Sequence, residues 1–291
     1  MFKEKAIVAN LDINNVTWAR TYLKSAEENR IEVTDDPNIQ ADKIFIGDNI
    51  PIAKITDHKR HLYFLGASSI TPSDSENLKD IEIEFLNMNW ADLVLVVSNA
   101  EKWKILSKRE YFNKKILVNG FPLNLREINM FKTTKKIPNS VCFLGETRYI
   151  KNTDFEICLI ENLKRLGYEV CHLSSKPMLR RKELEHAGCR IIENVEFKKY
   201  WEILSKFKFF TSTSFYESLC ISGIEAFALG CTPIVPDHSG FKDWCPDNLR
   251  YKNFDEKEVI DIMKRNENVN HQISKLAWYD SKSYFMRINF I

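Results

Sequence analysis

The sequence predicts an α/β chain built from two parallel-sheet units, and three observations carry that expectation. Short apolar runs alternate with helical stretches, the pattern of strands joined by crossover helices. The alternation restarts near Val141, after the polar, proline-containing segment Phe131–Asn139. A length of 291 residues exceeds what one core usually serves. The expected division is 1–132 and 139–268, with 269–291 as a tail crossing back to the first unit.

In the first unit, strands are expected at Ala6–Ala9, Lys43–Ile46, His61–Leu65, Leu93–Val97 and Ile116–Val118, with helices at Thr17–Asn29 and Glu101–Tyr111. In the second, strands fall at Val141–Leu144, Glu169–Leu173, Arg190–Ile192, Phe207–Phe210 and Pro233–Pro236. Helices are read at Asp154–Leu166, Lys198–Lys206 and Ile221–Leu229, the last stopped by Gly230. His61 reads as a core or surface histidine, and Trp103 and Tyr111 as packing residues.

At 44% apolar and 28% charged residues the chain reads as globular rather than disordered. Leu93–Val97, among the longest apolar runs, is far too short to span a bilayer, and no leader-like segment opens the sequence, so the expected compartment is the cytoplasm. Seven cysteines without a C-x-x-C pair point away from a disulfide framework or a zinc site and toward buried thiols.

The most informative stretch runs from Tyr216 to Asp237, where Glu217 and Glu225 flank the start of a helix that follows a strand and a loop. A helix N-terminus presents free N–H groups suited to a diphosphate, and carboxylates beside it accept hydrogen bonds from sugar hydroxyls. Two acids at this spacing alone are commonplace on surface helices. Here they are joined to Ala-x-Ala-x-Gly-x-x-Pro-Ile-Val, which singles the stretch out.

This stretch resembles the E-x7-E motif of retaining glycosyltransferases of family 4, on Glu217, Ser218, Leu219, Glu225, Ala226, Ala228 and Gly230. Pro233, Ile234 and Val235 follow after one extra residue. Ala91–Ser98, Ile116–Leu123 and Val141–Gly145 are similar to that family's last amino-terminal strand, its N-G passage between domains and the strand opening its nucleotide-binding domain. The resemblance covers roughly residues 90–265. It implies a GT-B fold of two Rossmann-like domains, their parallel sheets facing a central cleft, and transfer of a sugar from a nucleotide-sugar donor.

It also implies roles. Glu217 contacts the transferred sugar and Glu225 the ribose, while Arg148 and Lys151 hold the donor's pyrophosphate beside Gly145. Amides of Ser218, Leu219, Cys220 and Ile221 assist them, and Asn194 and Val195 lie in the loop that meets the nucleobase. In the retaining scheme the acceptor attacks on the face the diphosphate leaves, so neither a protein base nor a metal is needed, and the nucleotide sugar is a co-substrate rather than a bound cofactor. The sequence departs from the family at Cys220, where glycine is usual, and in the first loop, which lacks the glycine pair. Asp12 and Asn14 of that loop, with Ser68 and Ser69, are expected on the acceptor side.

Three acceptor or function classes stay open. One is a glycan or lipid-linked saccharide, the second a phage-type DNA transferase acting on hydroxymethylated bases, and the third a non-catalytic nucleotide-sugar-binding protein. Basic residues outnumber acidic ones between Glu101 and Lys136, although the whole chain carries only +2, so an anionic surface is a conceivable peripheral partner. Aromatics of the tail, including Trp278, Tyr279, Tyr284 and Phe285, are expected to pack on the first domain.

Overall fold

The computed structural model describes residues 5–9, 17–36, 38–39, 41–46, 60–65, 86–108, 115–147, 149–266 and 274–289. The chain divides into two compact units, Met1–Asn124 with Ala277–Ile291, and Leu125–Leu276. That division falls ahead of the polar segment read as the boundary from sequence, and residues 277–291 belong to the first unit.

The first unit holds β1 (Lys5–Ala9), α1 (Thr17–Glu28), β2 (Glu32–Thr34), β3 (Asp42–Ile46) and β4 (His61–Leu65). A helix α2 over 86–90 precedes β5 (Leu93–Val96), α3 (Asn99–Lys108) and β6 (Ile116–Val118). Its sheet is parallel throughout in the order β2-β1-β3-β4-β5-β6. All four residues of β5, Leu-Val-Leu-Val, are buried, as a strand covered on both faces requires. His61 is a core residue: its ring meets Phe45 edge-on at 5.6 Å, and its N–H donates to Asp92 Oδ2 at 2.8 Å. Trp103 departs from expectation, standing 67% exposed on α3 instead of packing; Tyr111 lies outside the described residues.

The last helix, α11 (Ser281–Asn289), packs on α1 within this unit. Tyr22 and Tyr284 are both fully buried and share a 3.0 Å hydrogen bond between their hydroxyls. Arg287 stacks over Trp278 at 3.8 Å and donates to the side chain and carbonyl of Asn119 at 3.0 and 2.9 Å. The N-G passage after β6 is thereby tied to the end of the chain.

The second unit begins with α4 (Leu125–Asn129) and runs through β7 (Ser140–Leu144), α5 (Thr153–Arg165), β8 (Glu169–Leu173), α6 (Arg181–His186), β9 (Arg190–Ile192) and α7 (Phe197–Leu204). It continues with β10 (Phe209–Thr211), α8 (Ile221–Ala228), β11 (Thr232–Pro236), α9 (Phe241–Trp244), β12 (Arg250–Tyr251) and α10 (Glu256–Arg265). All its strand pairs are parallel, in the order β12-β11-β10-β7-β8-β9. From β7 the chain therefore builds outward to β8 and β9 on one side, then returns to β10 on the other. That reversal matters, because ligands of open α/β sheets bind beyond the carboxyl ends of the strands where it occurs.

Helix ends follow their chemistry. Asn152, in the left-handed region, caps α5 by accepting from Phe155 N–H, with Asp154 and Glu156 in the first turn and Lys164 and Arg165 in the last. Gly230, at φ +83°, closes α8 in a Schellman turn: its N–H reaches Phe227 O at 3.0 Å and Cys231 N–H reaches Ala226 O at 2.9 Å. Lys136 completes that end by donating to Ser205 O at 2.7 Å and Leu229 O at 2.9 Å. One of the cations counted toward the basic stretch thus caps two helix ends. Six of the seven cysteines are buried, Cys158 being exposed, and all are free thiols.

Candidate functional site

Two loops leave the sheet at the β7/β10 reversal, and Gly145, Lys151, Glu217, Ser218, Leu219 and Cys220, all singled out from sequence, sit on them. After β7, Gly145 leads to a single 3₁₀ turn, Tyr149–Lys151; after β10, Ser212–Cys220 leads into α8. Two hydrogen bonds lock the loops together: Phe215 N–H to Ile150 O, and Thr213 Oγ1 to Lys151 O, both at 2.8 Å. Lys151 Nζ consequently reaches Glu217 Oε1 in a direct ion pair, with the two side chains only 19% and 16% exposed. Ser214 Oγ donates to the same carboxylate oxygen at 2.9 Å.

The backbone after Glu217 is held from beneath. Gly240 N–H donates to Glu217 O at 2.9 Å, Ser239 Oγ accepts from Glu217 N–H at 3.2 Å, and the buried Trp244 indole donates to Leu219 O at 2.7 Å. Gly240 passes so close that a Cβ there would lie 2.1 Å from Ser218 O, so no other residue fits. These bonds engage the carbonyls and the Glu217 N–H. Among the described residues, the N–H groups from Ser218 to Ser222 have no hydrogen-bond partner. A run of unpartnered donors opening α8 can donate to the oxygens of an anion.

Cys220 is the N-cap of α8 at φ +64°, a region L-residues enter at a cost of about 1–2 kcal/mol. Burial, then the nearby Glu217 carboxylate, pushes its thiol up to about 12. It is therefore a neutral thiol at physiological pH and no nucleophile.

Glu225 lies one helical face further on and is 5% exposed. Burial pushes its carboxyl up to about 7, against the opposing pull of the Trp201 and Tyr200 side chains of α7. The consequence for stability has a definite sign. From about pH 4.5 to 7 the folded chain holds this proton and the unfolded chain does not, so stability falls across that window, by up to about 3 kcal/mol. Glu225→Gln is expected to flatten that part of the pH dependence, measured as urea midpoints at pH 5 and pH 8. Equal slopes in both proteins would place Glu225 in a more polar setting.

Gly145 lies at the carboxyl end of β7, and its carbonyl accepts from His172 Nε2 at 2.9 Å. The other ring nitrogen, Nδ1, meets Glu156 Oε1 at 2.6 Å, with both side chains buried. A carbonyl only accepts, so Nε2 carries a hydrogen and Nδ1 faces the carboxylate. This buried pair supports the loop that leads to Lys151. Sequence reading missed it, and no spacing signal marks residues from α5 and β8 as partners.

Asn194, at φ +54°, and Val195 lie after β9, two strands from β7, where Glu193 anchors the loop through Met178 N–H at 2.7 Å and Arg181 at 2.9 Å. Arg148, Asp12, Asn14, Ser68 and Ser69 lie outside the described residues. Among the described residues, no cluster of three or more His, Cys, Asp and Glu side chains is placed to hold a metal ion, and no helix is long and apolar enough to cross a membrane.

Solved structures share this architecture. HepE of Anabaena, solved with UDP and glucose, superposes with a TM-score of 0.67 at 11% identity, covering 98% of each chain. The pneumococcal O-GlcNAc transferase GtfA, solved with UDP and GlcNAc, gives 0.62 at 14% identity over 93% of this chain and 59% of its own. TarM, solved also from S. aureus, gives 0.59 at 17% identity over 86% of this chain and 51% of its own. The chain thus spans little more than half the length of the last two. No family model matches the sequence, and no curated protein matches it. The likeness is one of fold: two Rossmann-like units with parallel six-stranded sheets, the GT-B fold.

Proposed function

We propose that the protein is a retaining glycosyltransferase of the family 4 type, moving a sugar from a nucleotide donor to a hydroxyl of a glycan or lipid-linked saccharide. The observation that carries this reading is the meeting of Lys151 and Glu217 beside the unpartnered N–H groups of Ser218 to Ser222 at the β7/β10 reversal. HepE and GtfA, similar in fold, were solved with UDP, which makes UDP-sugars the first donors to test.

In this reading the diphosphate lies against the start of α8 and takes Lys151 as counter-ion, with Arg148 as a second cation. Glu217, relieved of part of its pairing with Lys151, accepts from hydroxyls of the transferred sugar, and Glu225 from the ribose. A carboxyl close to half-protonated at neutral pH bonds hydroxyls in either state, as acceptor or donor. The C1–O bond to phosphate breaks with its electron pair leaving on the diphosphate. An acceptor oxygen bonds to C1 from the same face and passes its proton to the departing phosphate oxygen. Lys151 and the amides stabilise the charge that grows there. No step calls on a metal or on the Cys220 thiol.

The test is a donor-hydrolysis and transfer screen over UDP-glucose, UDP-GlcNAc and UDP-galactose, with glycan and lipid extracts as acceptors. Turnover with retained anomeric configuration supports the reading. Binding of donors without turnover would make the chain a nucleotide-sugar-binding protein, and inverted product would remove the same-face step.

A further inference from the structure

Three aromatic side chains are more exposed than apolar rings normally are, and two of them, Tyr149 and Phe215, stand on the loops that carry the Lys151–Glu217 pair. Tyr149 is 82% exposed, Phe215 44% and Phe254 38%. Their rings form a continuous row, with centroids 5.9 Å apart from Tyr149 to Phe215 and 5.2 Å from Phe215 to Phe254. Exposed rings in a contiguous row mark a binding surface, because the same area would otherwise be removed from water in the fold.

The row is built rather than loose. Phe254 is seated on Phe155 at 5.4 Å and Tyr251 at 5.9 Å, both buried, and beside His238 at 6.0 Å. Tyr251 Oη in turn donates to Ser212 O at 2.7 Å, which fixes the start of the loop bearing Phe215. Tyr149 shares its turn with Lys151, and Phe215 stands two residues before Glu217, on segments joined by the Phe215 N–H to Ile150 O bond. Rings and polar groups are thus held in one rigid frame.

We propose that Tyr149 and Phe215, backed by Phe254, form a stacking platform for a pyranose ring of the acceptor. The proposal rests on the glycosyltransferase reading and gives that site an acceptor subsite. A pyranose presents an apolar face of C–H groups that matches an aromatic surface, and its hydroxyl rim would border the Glu217–Lys151–Ser214 cluster, where the transferred sugar and the diphosphate are held. A bilayer surface makes no use of the carboxylate and hydroxyl beside the rings, whereas a saccharide hydrogen-bonds to both, so a saccharide is the occupant.

Saturation-transfer NMR tests it with three probes: methyl α-D-glucopyranoside, methyl 2-acetamido-2-deoxy-α-D-glucopyranoside and UDP. In the wild-type protein, ring protons on one face of at least one glycoside should receive saturation. In Tyr149→Ala/Phe215→Ala that glycoside should bind about tenfold more weakly, with UDP unchanged and the far-UV spectrum intact. Phe215→Trp should keep the glycoside signal. Glycoside signals absent in the wild-type protein, or equal in the alanine variant, would overturn the platform. So would cosedimentation with phosphatidylglycerol vesicles that the alanine variant loses while glycosides go unrecognised. A missing UDP signal beside a normal glycoside signal would instead count against the donor site and leave the platform standing.

Discussion

Alanine in place of Lys151 is expected to lower kcat for sugar transfer by about 10²–10³-fold, the usual cost of deleting one preorganised group that stabilises a departing anion. The reasoning starts from geometry. Lys151 is fixed by the Thr213 hydroxyl on its carbonyl and by its pairing with Glu217, so no other described lysine or arginine replaces it at this turn. Folding should change little, because a partly exposed ion pair contributes only about 0–1 kcal/mol. The readout is kcat and KM for the active donor together with UDP affinity by calorimetry. A large loss of kcat with a small loss of melting temperature supports the assignment. Glu217→Ala should also lose activity, yet through the sugar, so UDP alone should bind it almost as well as the parent. Wild-type rates in both variants would mean the chemistry happens elsewhere.

Gly240→Ala carries the second large effect, this time on the fold. The new methyl would lie 2.1 Å from Ser218 O, 2.5 Å from Ser218 C and 2.7 Å from Leu219 Cα, all backbone atoms. No rotamer relieves such a contact, so the loop or α9 must move, at a cost of about 3 kcal/mol or more. Moving the loop also displaces Glu217, whose carbonyl accepts from Gly240 and whose N–H donates to Ser239. A fall in melting temperature of about 6–12 °C is expected, with weakened UDP binding. A variant melting with the parent would show that the backbones do not cross this closely.

Strands announced themselves because both faces of a parallel sheet are buried and read as apolar runs; β4 and β5 are such cases. Elements that escaped the reading lack that signal. β2, Glu-Val-Thr at the sheet edge, is partly exposed, and α4, α6 and α9 are one or two turns long. α10 was legible in principle, with Asp255 accepting from Lys257 N–H ahead of an amphipathic run. Edges of predicted elements shifted by a residue or two, as with β10, read from Phe207 and found at Phe209–Thr211.

At the site, Glu217 and Lys151 could be picked out because local motifs carry them. Their direct pairing could not, since it arises from two loops brought together by a strand order that reverses. The supports were invisible for the same reason. Gly240 and Trp244 act on residues more than twenty positions earlier, and the Glu156–His172 pair joins a helix to a strand. At Cys220, where the resembled family has glycine, the thiol is buried and the left-handed turn is made by an L-residue.

Amide hydrogen exchange from Ser218 to Ser222, with and without saturating UDP, tests the central claim most directly. These N–H groups lack partners in the free chain and should exchange quickly there, then slow markedly once phosphate oxygens accept from them. UDP that binds while leaving these amides unchanged, or that fails to bind at all, would contradict the account.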